Sequence, residues 1–274
     1  MIHALAIETG IEPEYEENLI SSARKVGWDV QIVRHVPFVH EFEGADRELL
    51  EDPHVWFHGD ITACKSAQER TAWQVHAPWE ALRCVSYLSR LHGLLVNEPW
   101  TIAPMGQLIR RGEAVFDDLA YLIEDDTLFI RPDGNDKIFT GMLVSRDDWE
   151  HSLKLITFYE PPDDTLVIFA RPRVIQAEAR FLVVDGRVVT GSYYKTGGQA
   201  VRLKATGTTM AAARRYLMNC LDRGFNPAPS WVLDLAEVDG KWKILEVGAS
   251  SCCGLYKCDT DLFVRALDRL DPRG

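Results

Sequence analysis

The chain has 274 residues, 46% hydrophobic and 26% charged, enough to bury a full core in one large domain or two smaller ones. No apolar run approaches the roughly 18 residues needed to span a bilayer, and the start, Met1-Ile-His-Ala-Leu-Ala-Ile, lacks a basic segment ahead of an apolar one. No membrane role and a cytoplasmic location are therefore expected, and a formal charge of -11 disfavours nucleic acid as a partner.

The first hundred residues read as a βαβ opening: a strand at His3 to Ile7, an amphipathic helix at Glu14 to Val26, and a strand at Trp28 to Val33. Val55 to Gly59 is a further strand. A helix is expected over Trp79 to His92 and a short strand at Leu94 to Val96. This alternation favours a parallel sheet and an α/β domain over residues 1–100. From Thr101 a helical pattern runs through Met105, Leu108, Val115 and Leu119, followed by strands at Leu128 to Arg131 and Leu166 to Ala170. Strands at Glu178 to Val184 and Val188 to Tyr194 are joined by Asp185-Gly186, a two-residue hairpin signal. A helix at Thr209 to Asp222, a second hairpin (Trp231 to Glu237, Lys241 to Val247) and a helix at Asp261 to Leu270 complete an α+β region over residues 101–274.

Neither a P-loop nor a G-x-G-x-x-G fingerprint is present, so a bound nucleotide is held by another scheme. Ser22-Ala-Arg-Lys25 and Lys195-Thr-Gly197 match fragments of a serine-hydrolase signature, but the Ser-Asp-Asn between them is missing. Cys252, Cys253 and Cys258 are close in sequence without the paired C-x2-C units of a zinc site, and are read as packing residues rather than ligands or nucleophiles. The tryptophans are read as core, with Trp73 and Trp79 as the alternative lining of a substrate cleft.

Asp234 and Glu246 each interrupt an apolar strand of the second hairpin, whose turn brings them near each other across the ladder. Desolvating a bare carboxylate costs several kcal/mol, so such residues either hold a cation such as Mg²⁺ or pair with a structural Arg or Lys. Arg131, Lys137, Arg171, Arg173, Arg180 and Lys195 lie at strand ends or in loops of this acidic chain, which suits a concentrated anion such as a triphosphate, or charge balance at the surface.

In order, Arg131-Pro-Asp with Lys137-Ile-Phe-Thr-Gly141, Glu178-Ala-Arg180, Thr190-Gly-Ser-Tyr-Tyr194, Asp234-Leu-Ala-Glu237, Glu246-Val and Gly254-Leu-Tyr256 resemble the ATP-grasp superfamily. The nearest resemblance is to the phage and bacterial clade named for its arginine and lysine residues. It implies an ATP-grasp fold of two α+β subdomains preceded by an N-terminal α/β pre-ATP-grasp domain, with ATP and Mg²⁺ as cofactors. Arg131 and Lys137 match phosphate-holding positions, and Phe169, Ala170 and Arg171 belong to the strand whose backbone reads adenine. Glu178 and Arg180 lie beside ribose and phosphate, and Asp234 and Glu246 match the metal ligands. The implied activity is a carboxylate–amine ligase forming an amide or peptide bond through an acyl phosphate, with Arg180 and Lys195 as catalytic residues and small-molecule or peptide carboxylates and amines as substrates. Gly248 departs from the family's Glu-x-Asn; water, Ser250, Ser251 or a backbone carbonyl would have to replace the Asn. That departure keeps open a catalytically weakened ATP-binding module, and the fold also serves phosphotransferases. The pattern assigns no oligomeric state.

Overall fold

The structure, a computed structural model, describes residues 2–10, 13–135 and 138–270. Thirteen strands form three sheets among these residues: β1 (Ala4–Glu8), β2 (Asp29–Val36), β3 (Glu41–Glu43), β4 (Val55–His58), β5 (Trp100–Pro104), β6 (Thr127–Pro132), β7 (Met142–Ser145), β8 (Leu166–Ala170), β9 (Ala177–Val184), β10 (Arg187–Thr196), β11 (Gln199–Lys204), β12 (Ser230–Val238) and β13 (Lys241–Ala249). The first sheet has the order β3-β2-β1-β4 with β1 parallel to both neighbours, as the βαβ pattern implies. The other two, β11-β10-β9-β12-β13 and β5-β8-β6-β7, are antiparallel. No helix among the described residues is long and apolar enough to cross a membrane.

The chain forms two compact units, one of residues up to Pro78 together with those from Ile175 onward, the other Trp79–Val174. This partition differs from the expected division at residue 100, for a reason visible in the core of the first unit. Leu5, Ile7 and Trp56 of the parallel sheet share one apolar cluster with Leu182, Val184 and Val232 of the five-stranded sheet and with Phe263, Val264 and Leu267 of the helix Thr260–Asp268. Segments far apart in sequence thus bury one another. The second unit has its own core, built on Met105, Phe116, Ile130, Trp149 and Phe169.

Two hairpin turns form where Asp-Gly pairs predict them: Asp185 and Gly186 have φ of 51° and 64°, Asp239 and Gly240 of 52° and 69°, the left-handed conformation such turns require. Elsewhere local signals mislead. Over Trp79 to His92 only Cys84–Tyr87 is helical; its first turn is held by Asp133, which accepts from Val85 N through Oδ1 and from Cys84 N through its carbonyl. Leu95 and Val96 are buried without forming a strand of the sheets, a short apolar run having no period to decide its shape. Trp100–Pro104 is a strand, and the helix expected from Thr101 begins at Met105 and breaks at Gly112, where φ is 53°. The helix Ile61–Arg70, capped by Asp60 Oδ1 on Ala63 N at 2.6 Å, and strand β11 carry no apolar period strong enough to announce them.

Candidate functional site

Strand β9 reads Ala-Glu-Ala-Arg-Phe-Leu-Val-Val, and its period of two sends Glu178, Arg180, Leu182 and Val184 to one face and Ala179, Phe181 and Val183 to the other. The apolar face lies toward the helix Gly207–Asp222, where Tyr193 of β10 bonds Thr209. Phe181 lies so close beneath β10 that a Cβ at Gly191 would be 2.4 Å from its ring, which explains the glycine in the Thr190-Gly-Ser motif. The mixed face ends in the apolar cluster at Leu182 and Val184 and becomes ionic two residues earlier. Arg180 stands opposite Asp234 of β12, and Asp234 opposite Glu246 of β13, so one row crosses three strands.

Arg180 holds Asp234 through both carboxylate oxygens, Nε to Oδ1 at 3.0 Å and Nη2 to Oδ2 at 2.8 Å, and donates from Nη1 to the Gly254 carbonyl at 3.1 Å. The side chains are 14% and 1% exposed. The guanidinium carbon lies 5.3 Å from the Tyr256 ring and 5.7 Å from that of Tyr194, and these two rings stack at 5.2 Å, an arrangement that adds cation–π attraction to the ion pair. Tyr194 falls where the β9–β10 register shifts between Tyr193 and Lys195, a local irregularity with no sequence signature. Burial raises Asp234 to about 6, with Arg180 opposing and the charges of Glu246 and Glu178 adding to the rise. The carboxylate is still ionised at neutral pH. Burial works against the charge of Arg180, and Asp234 overcomes it, holding the guanidinium well above its ordinary value.

Two residues along, Lys195 Nζ lies 3.0 Å from Glu178 Oε1, with Glu178 buried and Lys195 half in solvent. Ser250 and Ser251, candidates to replace the absent Asn, are buried and engaged elsewhere: Ser250 Oγ lies 2.5 Å from Ser230 Oγ, and Ser251 Oγ accepts from His76 N at 2.9 Å. Gly248 itself has room, since a Cβ there would meet Val232 at 3.5 Å, an ordinary contact.

In the second unit Arg131 lies on β6 opposite Ile168 of β8. Phe169 and Ala170 are buried and pair with β5 on one side and β6 on the other, and the Phe169 ring belongs to the core. The backbone past this ladder starts at Arg171, whose Nη2 donates to the Tyr121 carbonyl at 2.8 Å while its buried Nε has no hydrogen-bond partner. An unmet buried donor costs about 1–3 kcal/mol and suits an acceptor-rich ligand. Lys137 lies outside the described residues.

The other motifs resolve as structure. Ser22 Oγ donates to Asp261 Oδ1 at 2.5 Å and Lys25 Nζ to Asp261 Oδ2 at 2.9 Å, tying the helix Pro13–Lys25 to the helix Thr260–Asp268. Trp73 stacks on Phe57 at 5.3 Å inside the first unit rather than lining a cleft. Burial raises the Cys253 thiol to about 12, the reverse of what a nucleophile needs.

Residues 25–267 match the model of an ATP-grasp domain family, the third family of the clade named for its arginine and lysine residues. The chain belongs to this ATP-grasp family. Among solved structures it is similar to the D-cycloserine synthetase DcsG, with 20% identity over 98% of this chain and 100% of that one and a TM-score of 0.66. It is also similar to a RimK domain ATP-grasp protein from Sphaerobacter thermophilus (13% identity, 96% and 98% covered, TM-score 0.62) and to D-alanyl-alanine synthetase A from Vibrio cholerae (10%, 97% and 94%, 0.57). At these identities the likeness establishes the ATP-grasp fold. Comparison with curated protein sequences gives no match.

The family implies ATP and a divalent metal, and the residues suit the two unequally. The unmet donor of Arg171 fits a phosphate-rich ligand. For a metal the fit is poorer: Asp234 carries Arg180 on both oxygens, and among the described residues no group of three or more His, Cys, Asp or Glu is placed to hold an ion.

Proposed function

We propose that this ATP-grasp protein is a carboxylate–amine ligase that forms an amide or peptide bond on a small-molecule or peptide substrate at the cost of ATP. The observation that carries the reading is the row Arg180–Asp234–Glu246, buried at Asp234 and partly buried on either side, beside Glu178–Lys195, in a chain of a family whose structural relatives include D-cycloserine and D-alanyl-alanine synthetases. In the first step a substrate carboxylate oxygen attacks the γ-phosphorus and the bond to the ADP oxygen breaks. In the second the amine nitrogen attacks the acyl carbon, the carbon–oxygen bond to phosphate breaks, and the nitrogen gives up a proton. Neither step needs a protein nucleophile; both need placement and charge compensation.

Arg180 supplies a fixed positive charge. Its bonds to Asp234 and Gly254 use three N–H groups of the five a guanidinium carries, leaving two for the anionic acyl phosphate. Glu178 holds Lys195, whose ammonium is half exposed, and the reading gives this ammonium the task of facing the amine. The test is release of ADP and phosphate by the purified chain with ATP, divalent metal and a mixture of amino acids and carboxylates, beside Arg180→Met. Turnover that depends on an added carboxylate and amine and is lost in the variant supports the reading; no turnover above the variant refutes it. Gly248 favours a second reading, an ATP-binding module without ligation. It predicts saturable ATP binding without ADP release, and stronger metal binding in Gly248→Asn.

A further inference from the structure

We propose that Cys64 and Cys252 form a reversible disulfide when the chain meets hydrogen peroxide, a staple between the helix Ile61–Arg70 and the loop that follows β13. The inference stands apart from the ligase reaction and does not rest on it.

Three observations carry it. First, segments distant in sequence meet here. Cys64 Sγ donates to the Ser251 carbonyl at 3.4 Å across 187 positions of chain, and Cys252 is joined to that carbonyl by one peptide bond. Burial, and next a hydrogen bond with the Cys252 side chain, push the Cys64 thiol well up. Second, the segment bearing Cys252 is already held in place by other groups: Gly59 N donates to the Ser251 carbonyl at 3.0 Å and His76 N to Ser251 Oγ at 2.9 Å. That carbonyl has a donor in Gly59, so the Cys64 thiol is not needed to satisfy it. Third, the two thiols differ in access. Cys64 is fully buried and Cys252 partly exposed, which suits a sulfur that an oxidant reaches with a resolving thiol behind it. Cys253 is a poorer partner for Cys252. Adjacent Cα atoms lie about 3.8 Å apart across a trans peptide, short of the roughly 4.4–6.8 Å that a disulfide spans.

The chemistry is a two-electron oxidation. The Cys252 sulfur attacks one peroxide oxygen, the oxygen–oxygen bond breaks, and the leaving hydroxide takes the thiol proton as water. The Cys64 sulfur then attacks the sulfenic sulfur of Cys252 and the sulfur–oxygen bond breaks. The departing hydroxide takes the Cys64 proton, which a thiol raised by burial does not release to bulk water. Two thiols and one peroxide thus give one disulfide and two waters. The bond joins the two segments, up to Pro78 and from Ile175, that share one core. It also lies two residues before Gly254, whose carbonyl accepts from Arg180, so oxidation fixes the loop on which Arg180 rests.

Peptide mapping without reductant, after equimolar hydrogen peroxide, tests this on the intact chain. The Cys64 and Cys252 peptides are expected as one linked species that dithiothreitol separates. Cys64→Ala should stop at a Cys252 sulfenic acid, captured by dimedone, and Cys252→Ser should leave Cys64 unreacted. In urea titration the oxidised wild type should unfold at a higher midpoint than the reduced chain, because the link constrains the unfolded state; Cys64→Ala should show no such shift. The nitrogen resonance of Arg180 Nε should move on oxidation of the wild type alone. A Cys252–Cys253 or intermolecular link, a sulfenic acid that persists in the wild type, unreacted thiols, or an unshifted midpoint each overturns the proposal. An unmoved Arg180 Nε resonance overturns its reach to the site.

Discussion

Two ion pairs lie two residues apart on β9, and they differ in everything except charge. Arg180–Asp234 is buried, bidentate, backed by a carbonyl and two aromatic rings; Lys195–Glu178 is a single contact with its lysine half exposed. Burial makes the first pair consequential, because each partner would be stranded in a dry environment without the other. The second strands only one partner: water solvates the lysine whether or not Glu178 is there, whereas Glu178 is buried and depends on it. A row of charges in a sequence therefore says less than the depth at which each one sits.

The largest effect expected on this contrast is Asp234→Ala, which leaves Arg180 buried and unpaired and should lower unfolding free energy by about 3–5 kcal/mol in urea titration. A loss below about 1 kcal/mol, the range of an exposed pair, would mean that the pair is wetter than its geometry. Next comes acid. His58 and His76 are held near 4 by burial against an ordinary 6.5, so the stability they contribute is present above about 6.5 and lost as pH falls toward 4, up to about 3 kcal/mol each at roughly 1.36 kcal/mol per unit. Asp234 works in the opposite sense. Raised to about 6 from 3.8, it binds protons more readily folded than unfolded, and its contribution grows as pH falls through that window. Two histidines outweigh one aspartate, so urea midpoints should fall from neutral to acid pH. His76→Gln should flatten the profile and Asp234→Asn steepen it; a profile unchanged by both would show these groups to be less perturbed.

The remaining effects are smaller and sharpen the comparison from the other side. Lys195→Met leaves the buried Glu178 without its ammonium and should cost about 1–3 kcal/mol of stability while lowering ligation by raising KM for the amine, a split read from steady-state kinetics. Gly248→Asn should change stability by no more than about 0.5 kcal/mol, its Cβ being in ordinary contact with Val232. If it strengthens metal binding, measured by equilibrium dialysis, the glycine is what limits the site; unchanged binding would show that it does not.

Much of the fold is legible locally. The first parallel unit, both Asp-Gly hairpins and the helix Gly207–Asp222 follow from period and turn chemistry, because those signals act between residues a few positions apart. Legibility fails where a distant group takes over, as at Asp133, which holds the single turn at Cys84–Tyr87 in place of a long helix. The site divides in the same way. Asp234 and Glu246 stand out as carboxylates in apolar strands, and the hairpin turn between them sets their pairing. Nothing in the spacing of Arg180, Tyr194 and Tyr256 reveals that they converge, since the convergence depends on a register shift in β10 and on the course of the chain after β13.

By itself, then, the sequence determined which residue types are available, the alternation that puts Arg180 and Leu182 on one face, the order of motifs shared with the ATP-grasp family, and the absence of an Asn at 248. Only the tertiary structure decided that Asp234 is spoken for by Arg180, and that residues up to Pro78 and from Ile175 onward share one core. The physical reason is that alternation and turns are set by neighbours along the chain, whereas the partner of a buried charge is set by whichever opposite charge the packed sheet brings within about 3 Å.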